Sequence, residues 1–498
     1  VDAAVGAALT LAVVEPYNSG LGAGGLALLW DSRNKKAYAF DFREKAPLAA
    51  TAAMFLQPWI PPDASVAGPL AIAVPGEIHG LASLHRRGGK LPWRELFADA
   101  IRYAESGFLP DKGLLTQVEN RKECLRRDYD TSQLYQAFWS SEKHPNDTQD
   151  PTPPPWIQPA LTQTLKQLAA EGPESFYQGH LGTFLVRDLQ GKGALLSEKD
   201  LAQYQTVERN PLLAKFPWGQ LWGFPLPSSG GISLIRGLQT MEALGKIDKD
   251  KASLPDWQTW MVEVLRQVFQ TRNTEMGDGD FLPSLPVKQW TSKNFAKQQA
   301  KNIFTKKTEE TAPSPLKNKT EGHTTHLSVI DGQGNAVAMT LTQNLPFGSC
   351  VTSGATGLMM NDQMDDFSTR PGQPNAFGLV QSEANAIAPG KRPLSSMTPT
   401  LVTERGRVIL VIGSPGGPKI ISTLLQVLYR HFFLGEPWTQ AMAATRFHFQ
   451  GIPHEVDAEQ DGDTWGNVQA VGFDPKSGGY FAYSDPRGQG QAVVVFSK

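Results

Sequence analysis

Residues 322–344, GHTTHLSVIDGQGNAVAMTLTQN, alternate apolar and polar side chains on both sides of a turn-forming DGQGN, a pattern that suits an antiparallel hairpin and no helix. The first strand is expected from about Thr324 to Ile330 and the second from Ala336 to Thr342, around Asp331, Gly332, Gln333, Gly334 and Asn335. Strand side chains alternate between faces, so Thr325, Leu327 and Val329 share one face with Val337, Met339 and Leu341. Thr324, His326 and Ser328 share the other with Thr340 and Thr342. With DGQGN as the loop, Ile330 lies opposite Ala336 and Thr324 opposite Thr342. A one-residue slip would set Leu341 across from Thr324 and mix the faces, which the hydrophobic pattern opposes. Two hydroxyls therefore face each other at the open end of the hairpin.

The chain of 498 residues is long enough for about three domains, or fewer in a large layered fold. A formal net charge of −2 offers no basic excess for nucleic acid or an anionic membrane. No apolar run is long enough to span a bilayer, and no secretory leader is visible. The opening VDAAVGAALTLAVV starts inside a helical pattern without a capping residue, so the natural N-terminus is expected upstream. Cys124 and Cys350, the two cysteines, have no metal-site spacing; they are expected to be buried thiols, with a disulfide as the alternative.

Along the chain, a helix to Val14 leads through NSGLGAGG into a second hairpin at 26–42. Gly20, Gly22 and Gly25 match G-x-G-x-x-G, but a dinucleotide site needs strand, glycines and then helix; here the helix comes first. Close backbone approach is the expected reason for these glycines. Residues 71 to the 180s look mostly helical, 140–159 reads as an exposed loop, and 256–276 is helical again. The polar stretch from Thr305 to His323 is expected to be flexible, so its Ser314–Lys317 pair is no catalytic dyad. PSSGG at 227–231 and GSPGG at 413–417 each join a strand to a helix, a geometry that aims N–H groups forward. GLMMN at 357–361 is expected to be a short strand leading to Gln363, Asp365 and Asp366.

A threonine becomes a nucleophile when a base takes its proton, and an N-terminal threonine carries its own base, an α-amine of pKa about 8. Thr324 is internal, so such chemistry requires the His323–Thr324 bond to be cut first. Taken singly, TT at a strand start reflects strand propensity. His323 and His326 have no carboxylate partner in local register for a metal. Asp365 and Asp366 point opposite ways if extended, which argues against a paired acid and base.

In combination the segments VDAAV, FREKAP, AVPGE, PSSGG, TTHLSVIDGQGNAVAMT, NDQMDDF, KRPLSSMTPT, GSPGG and SDPR resemble the γ-glutamyltranspeptidase family, threonine-nucleophile members of the Ntn-hydrolase superfamily. The resemblance covers essentially the whole chain. It implies an α+β fold, a four-layer αββα sandwich with antiparallel central sheets, and a precursor that cuts itself into a large subunit, 1–323, and a small one, 324–498. It further implies that Thr324 is the nucleophile and Thr342 its hydrogen-bonding neighbour, and that Gly416 and Gly417 supply the oxyanion N–H groups. Arg43, with Ser395 and Ser396, would hold a substrate α-carboxylate; Asn344, Gln363 and Asp366 would surround its α-ammonium.

By that resemblance the donor is glutathione or a related γ-glutamyl compound, and the acceptor is water, an amino acid or a peptide. No metal or organic cofactor is needed, and the protein is exported, periplasmic or secreted. The loop RPGQPNAFG would act as a lid, with Phe377 where some bacterial members have a tyrosine whose hydroxyl bonds the position of Asn344. The alternatives are a glutaryl or cephalosporin-type acylase on the same scaffold and a non-catalytic, unprocessed binding protein.

Overall fold

The computed structural model describes residues 1–139, 154–247, 257–305, 323–452, 454–460 and 465–495. Most of the expected loop at 140–159, and the stretch 306–322 with Ser314 and Lys317, lie outside the described residues.

Both expected hairpins form. β1 (Gly24–Asp31) pairs with β2 (Lys36–Phe42), and β6 (His323–Ile330) pairs with β7 (Ala336–Asn344). With β3 (Val207–Arg209) they form a five-stranded sheet in the order β3-β2-β1-β7-β6. A six-stranded sheet contains β4 (Leu212–Phe216), β5 (Gly219–Gly223), β8 (Thr400–Glu404), β9 (Arg407–Gly413), β12 (Gln469–Asp474) and β13 (Gly479–Ser484), ordered β13-β12-β9-β8-β5-β4. β10 (Phe447–His448) and β11 (Asp457–Ala458) make a small ladder of their own. All these named ladders are antiparallel.

Period-2 alternation explains the layers. Ala27, Leu29, Val337, Met339 and Leu341 face a core shared with the helices Asp2–Val14 and Glu77–Gly88. Leu26, Leu28, Ala336 and Ala338 face the other way, onto Val402, Leu410 and Ile412 of the second sheet. The same core continues to Leu238, Val264 and Leu424 on the helices Gly230–Ile247, Trp257–Glu275 and Lys419–Phe432. The result is helix, sheet, sheet, helix, as expected. β6 and β7 thus have a sheet beneath them and helices above, and the end of the hairpin opens between the layers.

Three local expectations change. Cys124 and Cys350 form a disulfide, with Cα atoms 5.8 Å apart, in place of the two buried thiols. Their separation of 226 residues kept this contact out of reach of local pattern. The GLMMN segment makes only isolated bridges, Thr352 with Met359 and Gly22 with Met360. Asp365 and Asp366 lie in a 3-10 turn, Gln363–Asp366, and not in extended chain; their side chains still diverge, Asp365 to Ser65 and Asp366 to Arg43.

The glycine segment at 20–25 serves packing, as its order of elements implied. A Cβ on Gly22 would lie 2.1 Å from the Met359 carbonyl oxygen. Asn361 clasps the same place, donating to the carbonyls of Gly22 (2.8 Å) and Ala73 (3.0 Å). Residues 359–361 can therefore lie close against the start of β1, at the end of the first sheet, which delivers Asp362, Gln363 and Asp366 to the end of β7.

Candidate active site

Thr324 pairs with Thr342, as the faces required, and the register then shifts so that His323 lies beside Asn344. The shift turns Asn344 into the left-handed region (φ 84°), and its N–H points back at the Thr342 hydroxyl, 3.0 Å away. Thr342 Oγ1 also lies 3.1 Å from Thr324 Oγ1 and 3.1 Å from the His323 carbonyl oxygen. A hydroxyl has one proton to give. Donated to the His323 carbonyl, it leaves Thr342 as acceptor for the Thr324 hydroxyl and the Asn344 N–H. Thr324 thus has a proton acceptor, and the carbonyl of the bond before it is polarised by the same group.

Thr324 lines a cavity of about 980 Å³ together with Gly416, Lys419, Trp465 and residues of the C-terminal segment 487–495. Gly416 and Gly417 have φ of 127° and 54°, conformations that glycine tolerates best, just before the helix Lys419–Phe432. Among the described residues no acceptor takes up either N–H. Phe377 packs over Gly417, where a Cβ would sit 3.1 Å from its ring. The loop carrying Phe377 is folded by Asn375, whose side chain accepts from the N–H groups of Phe377 and Leu379, and by Asp365, which accepts from Ala376 N–H. Asn344 Nδ2 donates to the Asp362 carbonyl and carboxylate oxygens, both at 3.3 Å.

Arg43 follows β2 directly and is fully buried. Its Nη2 pairs with Asp366, Nη1 lies 3.4 Å from Glu44 Oε2, and Nε donates to the Pro393 carbonyl at 3.4 Å. Gln363 Nε2 donates to the same Asp366 oxygen at 2.7 Å, while Gln363 Oε1 is buried without a protein partner. The two groups expected to hold opposite ends of a zwitterion therefore hold each other. Ser395 and Ser396 are buried nearby in sequence to Pro393; Ser395 Oγ accepts from Met397 N–H and Ser396 Oγ from Arg272 Nε. PSSGG braces this strip: Ser229 N–H donates to the Ser395 carbonyl, and Ser395 N–H to the Pro227 carbonyl.

Sequence reasoning passed over Arg272, Asp362 and Glu44. Arg272 is buried, its pKa lowered to about 10 by burial against the pull of Asp366, and it also reaches Gln381. It falls on the apolar stripe Met261, Leu265, Val268 of its helix, and an arginine on such a stripe was a readable signal. Burial also pushes Glu44 up to about 7, partly countered by Arg43, and pushes the fully buried Asp362 well above the carboxylate range. His326, considered for a metal, is a core residue: its ring nitrogens meet the hydroxyls of Thr340 and Ser328, and burial lowers its pKa to about 3.

The layered, antiparallel α+β architecture is that of the Ntn-hydrolase fold. The cephalosporin acylase of Bacillus halodurans has a similar structure, with a TM-score of 0.82 over 100% of this chain and 91% of its own; at 23% identity this is a likeness of fold. The γ-glutamyltranspeptidase family pattern matches residues 1–495. The glutathione hydrolase proenzyme of Pseudomonas aeruginosa is 37% identical over 99% of this chain and 90% of its own length. That of Escherichia coli is 36% identical over 92% and 78%. The chain belongs to the γ-glutamyltranspeptidase family.

Proposed function

We propose that this chain is a γ-glutamyl hydrolase and transferase that first cuts itself between His323 and Thr324, into residues 1–323 and 324–498. The observation that carries the reading is the Thr342 hydroxyl set between the Thr324 hydroxyl and the His323 carbonyl. Thr324 Oγ1 attacks that carbonyl, the acyl group passes from nitrogen to oxygen, and water hydrolyses the ester. The freed α-amine of Thr324, with a reference pKa of about 8, then serves as general base. Relatives of this chain carry the name proenzyme, in keeping with such a step.

In turnover the same hydroxyl attacks the γ-carbonyl of glutathione or a related donor, and the N–H groups of Gly416 and Gly417 meet the oxyanion. The leaving amine takes a proton from the Thr324 α-ammonium formed when its amine accepted the hydroxyl proton, and water or an amino acid or peptide amine resolves the γ-glutamyl ester. Arg43, helped by Ser395 and Ser396, takes the donor's α-carboxylate; Asp366, with Gln363 and Asn344, takes its α-ammonium. A zwitterion entering between Arg43 and Asp366 replaces one ion pair with two, so neither charge of the pair is left alone. A glutaryl group lacks the ammonium and leaves Asp366 unmatched, which favours the γ-glutamyl over the acylase reading. The Cys124–Cys350 disulfide suits an oxidising compartment, and thus a periplasmic or secreted setting; among the described residues no helix is long and apolar enough to cross a membrane.

The test is N-terminal sequencing of the purified protein, reduced and denatured, beside turnover of γ-glutamyl and glutaryl p-nitroanilides with and without a dipeptide acceptor. A fragment starting at Thr324 and a preference for the γ-glutamyl anilide are expected. Active protein without that fragment sinks the processing; equal use of both anilides sinks the headgroup assignment.

A further inference from the structure

The Cys124–Cys350 bridge joins two residues on opposite sides of the His323–Thr324 bond. In the uncut chain it closes a loop that contains this bond. Resting on the processing proposed above, we infer that the bridge survives the cut and makes the matured protein a covalently linked pair of chains. Cys124 and Cys350 are the two cysteines of residues 1–498.

Its surroundings suit a lasting link. Both cysteines are buried, and Arg121 Nη2 lies 3.5 Å from each sulfur. Leu125 and Tyr135 of the first product pack in one apolar cluster with Phe347 and Met359 of the second. On the small-chain side the bridge anchors the loop that leaves Asn344. Phe347, Gly348 and Cys350 in that loop have φ of 60°, 51° and 58°, and Asn344 has 84°. Left-handed conformations at three non-glycine residues persist where the surroundings over-determine them. The disulfide supplies one such constraint six residues from the group that holds the Thr342 hydroxyl. Forming it removes two protons and two electrons from the thiols, which pass to a protein or small-molecule disulfide in an oxidising compartment. Dithiothreitol returns them and becomes a cyclic disulfide.

A tether changes how the matured protein recovers from denaturation. Linked chains find each other at an effective concentration set by the tether, whereas separate chains must collide.

The experiment takes purified wild-type protein, with free thiols blocked before denaturation, and compares gels and intact masses with and without dithiothreitol. One species a single water heavier than the uncut chain is expected without reductant, and two species with it. Two species without reductant overturn the inference while leaving the processing intact. One species in both lanes, without the added water, overturns the processing and the link with it. In a second measurement the protein is unfolded in urea and diluted to a series of protein concentrations. Wild type should regain activity to the same extent at each concentration, and Cys124→Ser should regain less as the concentration falls. A wild type as concentration-dependent as the variant overturns the inference.

Discussion

Replacing Thr342 by valine removes one hydroxyl and keeps the branched side chain that the strand packs. Three groups lose their partner at once: the Thr324 hydroxyl at 3.1 Å, the His323 carbonyl at 3.1 Å and the Asn344 N–H at 3.0 Å. The kinetic cost arises at the carbonyl, where negative charge develops as Thr324 attacks. Loss of one donor to a developing oxyanion costs about 2.7–4 kcal/mol, a factor of about 10²–10³ in rate. Thr342→Val should therefore mature about 10²–10³-fold more slowly than wild type, and Thr342→Ser, which keeps the hydroxyl, should stay within about tenfold. The assay follows conversion of full-length chain to two fragments by gel, with reductant in every sample so that the Cys124–Cys350 bridge does not mask the cut. Thermal unfolding of the valine variant checks that the fold is retained. Maturation of Thr342→Val at the serine variant's rate would refute the role given to this hydroxyl.

Arg43→Lys keeps the charge and loses the planar fork; with about 1.5–3 kcal/mol for one charged hydrogen bond, KM for the γ-glutamyl anilide should rise about 10–100-fold while the cut at Thr324 proceeds. An unchanged KM would remove Arg43 from the carboxylate site. His326, held neutral by burial with its pKa lowered to about 3, favours the fold above pH 6.5, and that stability is lost as pH falls, because the unfolded chain takes up a proton that the folded one refuses. In urea unfolding, His326→Gln should therefore narrow its stability deficit against wild type by about 1.4 kcal/mol per pH unit below pH 6.5; a constant deficit would count against it. Gly22→Ala places a methyl 2.1 Å from the Met359 carbonyl and should lower stability by about 1–3 kcal/mol or more, seen as a reduced melting temperature. Unchanged melting would show that residues 359–361 do not need that clearance.

What local pattern can determine, it determined here. Strand alternation repeats every two residues, so the apolar set of 325–341 admits one register, and Thr324 opposite Thr342 follows without any distant contact. The helix-before-strand order around Gly20, Gly22 and Gly25 likewise decided against a nucleotide site, and the structure shows packing there. The candidate site residues became legible as a set only through the resemblance of whole segments, since each threonine, serine or glycine alone has an ordinary structural explanation. Tertiary structure decided what joins distant segments. Arg43 and Asp366 are 323 positions apart, and no periodicity tells that a buried arginine and a half-buried carboxylate meet when no zwitterion separates them. Cys124 and Cys350 likewise meet only because residues 114–135 and 347–359 bury their apolar surfaces together. Arg272 occupies a core position because Ser396 and Gln381 accept from its guanidinium and the charge of Asp366 favours its protonated form, a compensation that exists only after the layers have packed. Hydrogen-bond periodicity is written into neighbouring residues; charge compensation and cross-links depend on which surfaces the folded layers bring into contact.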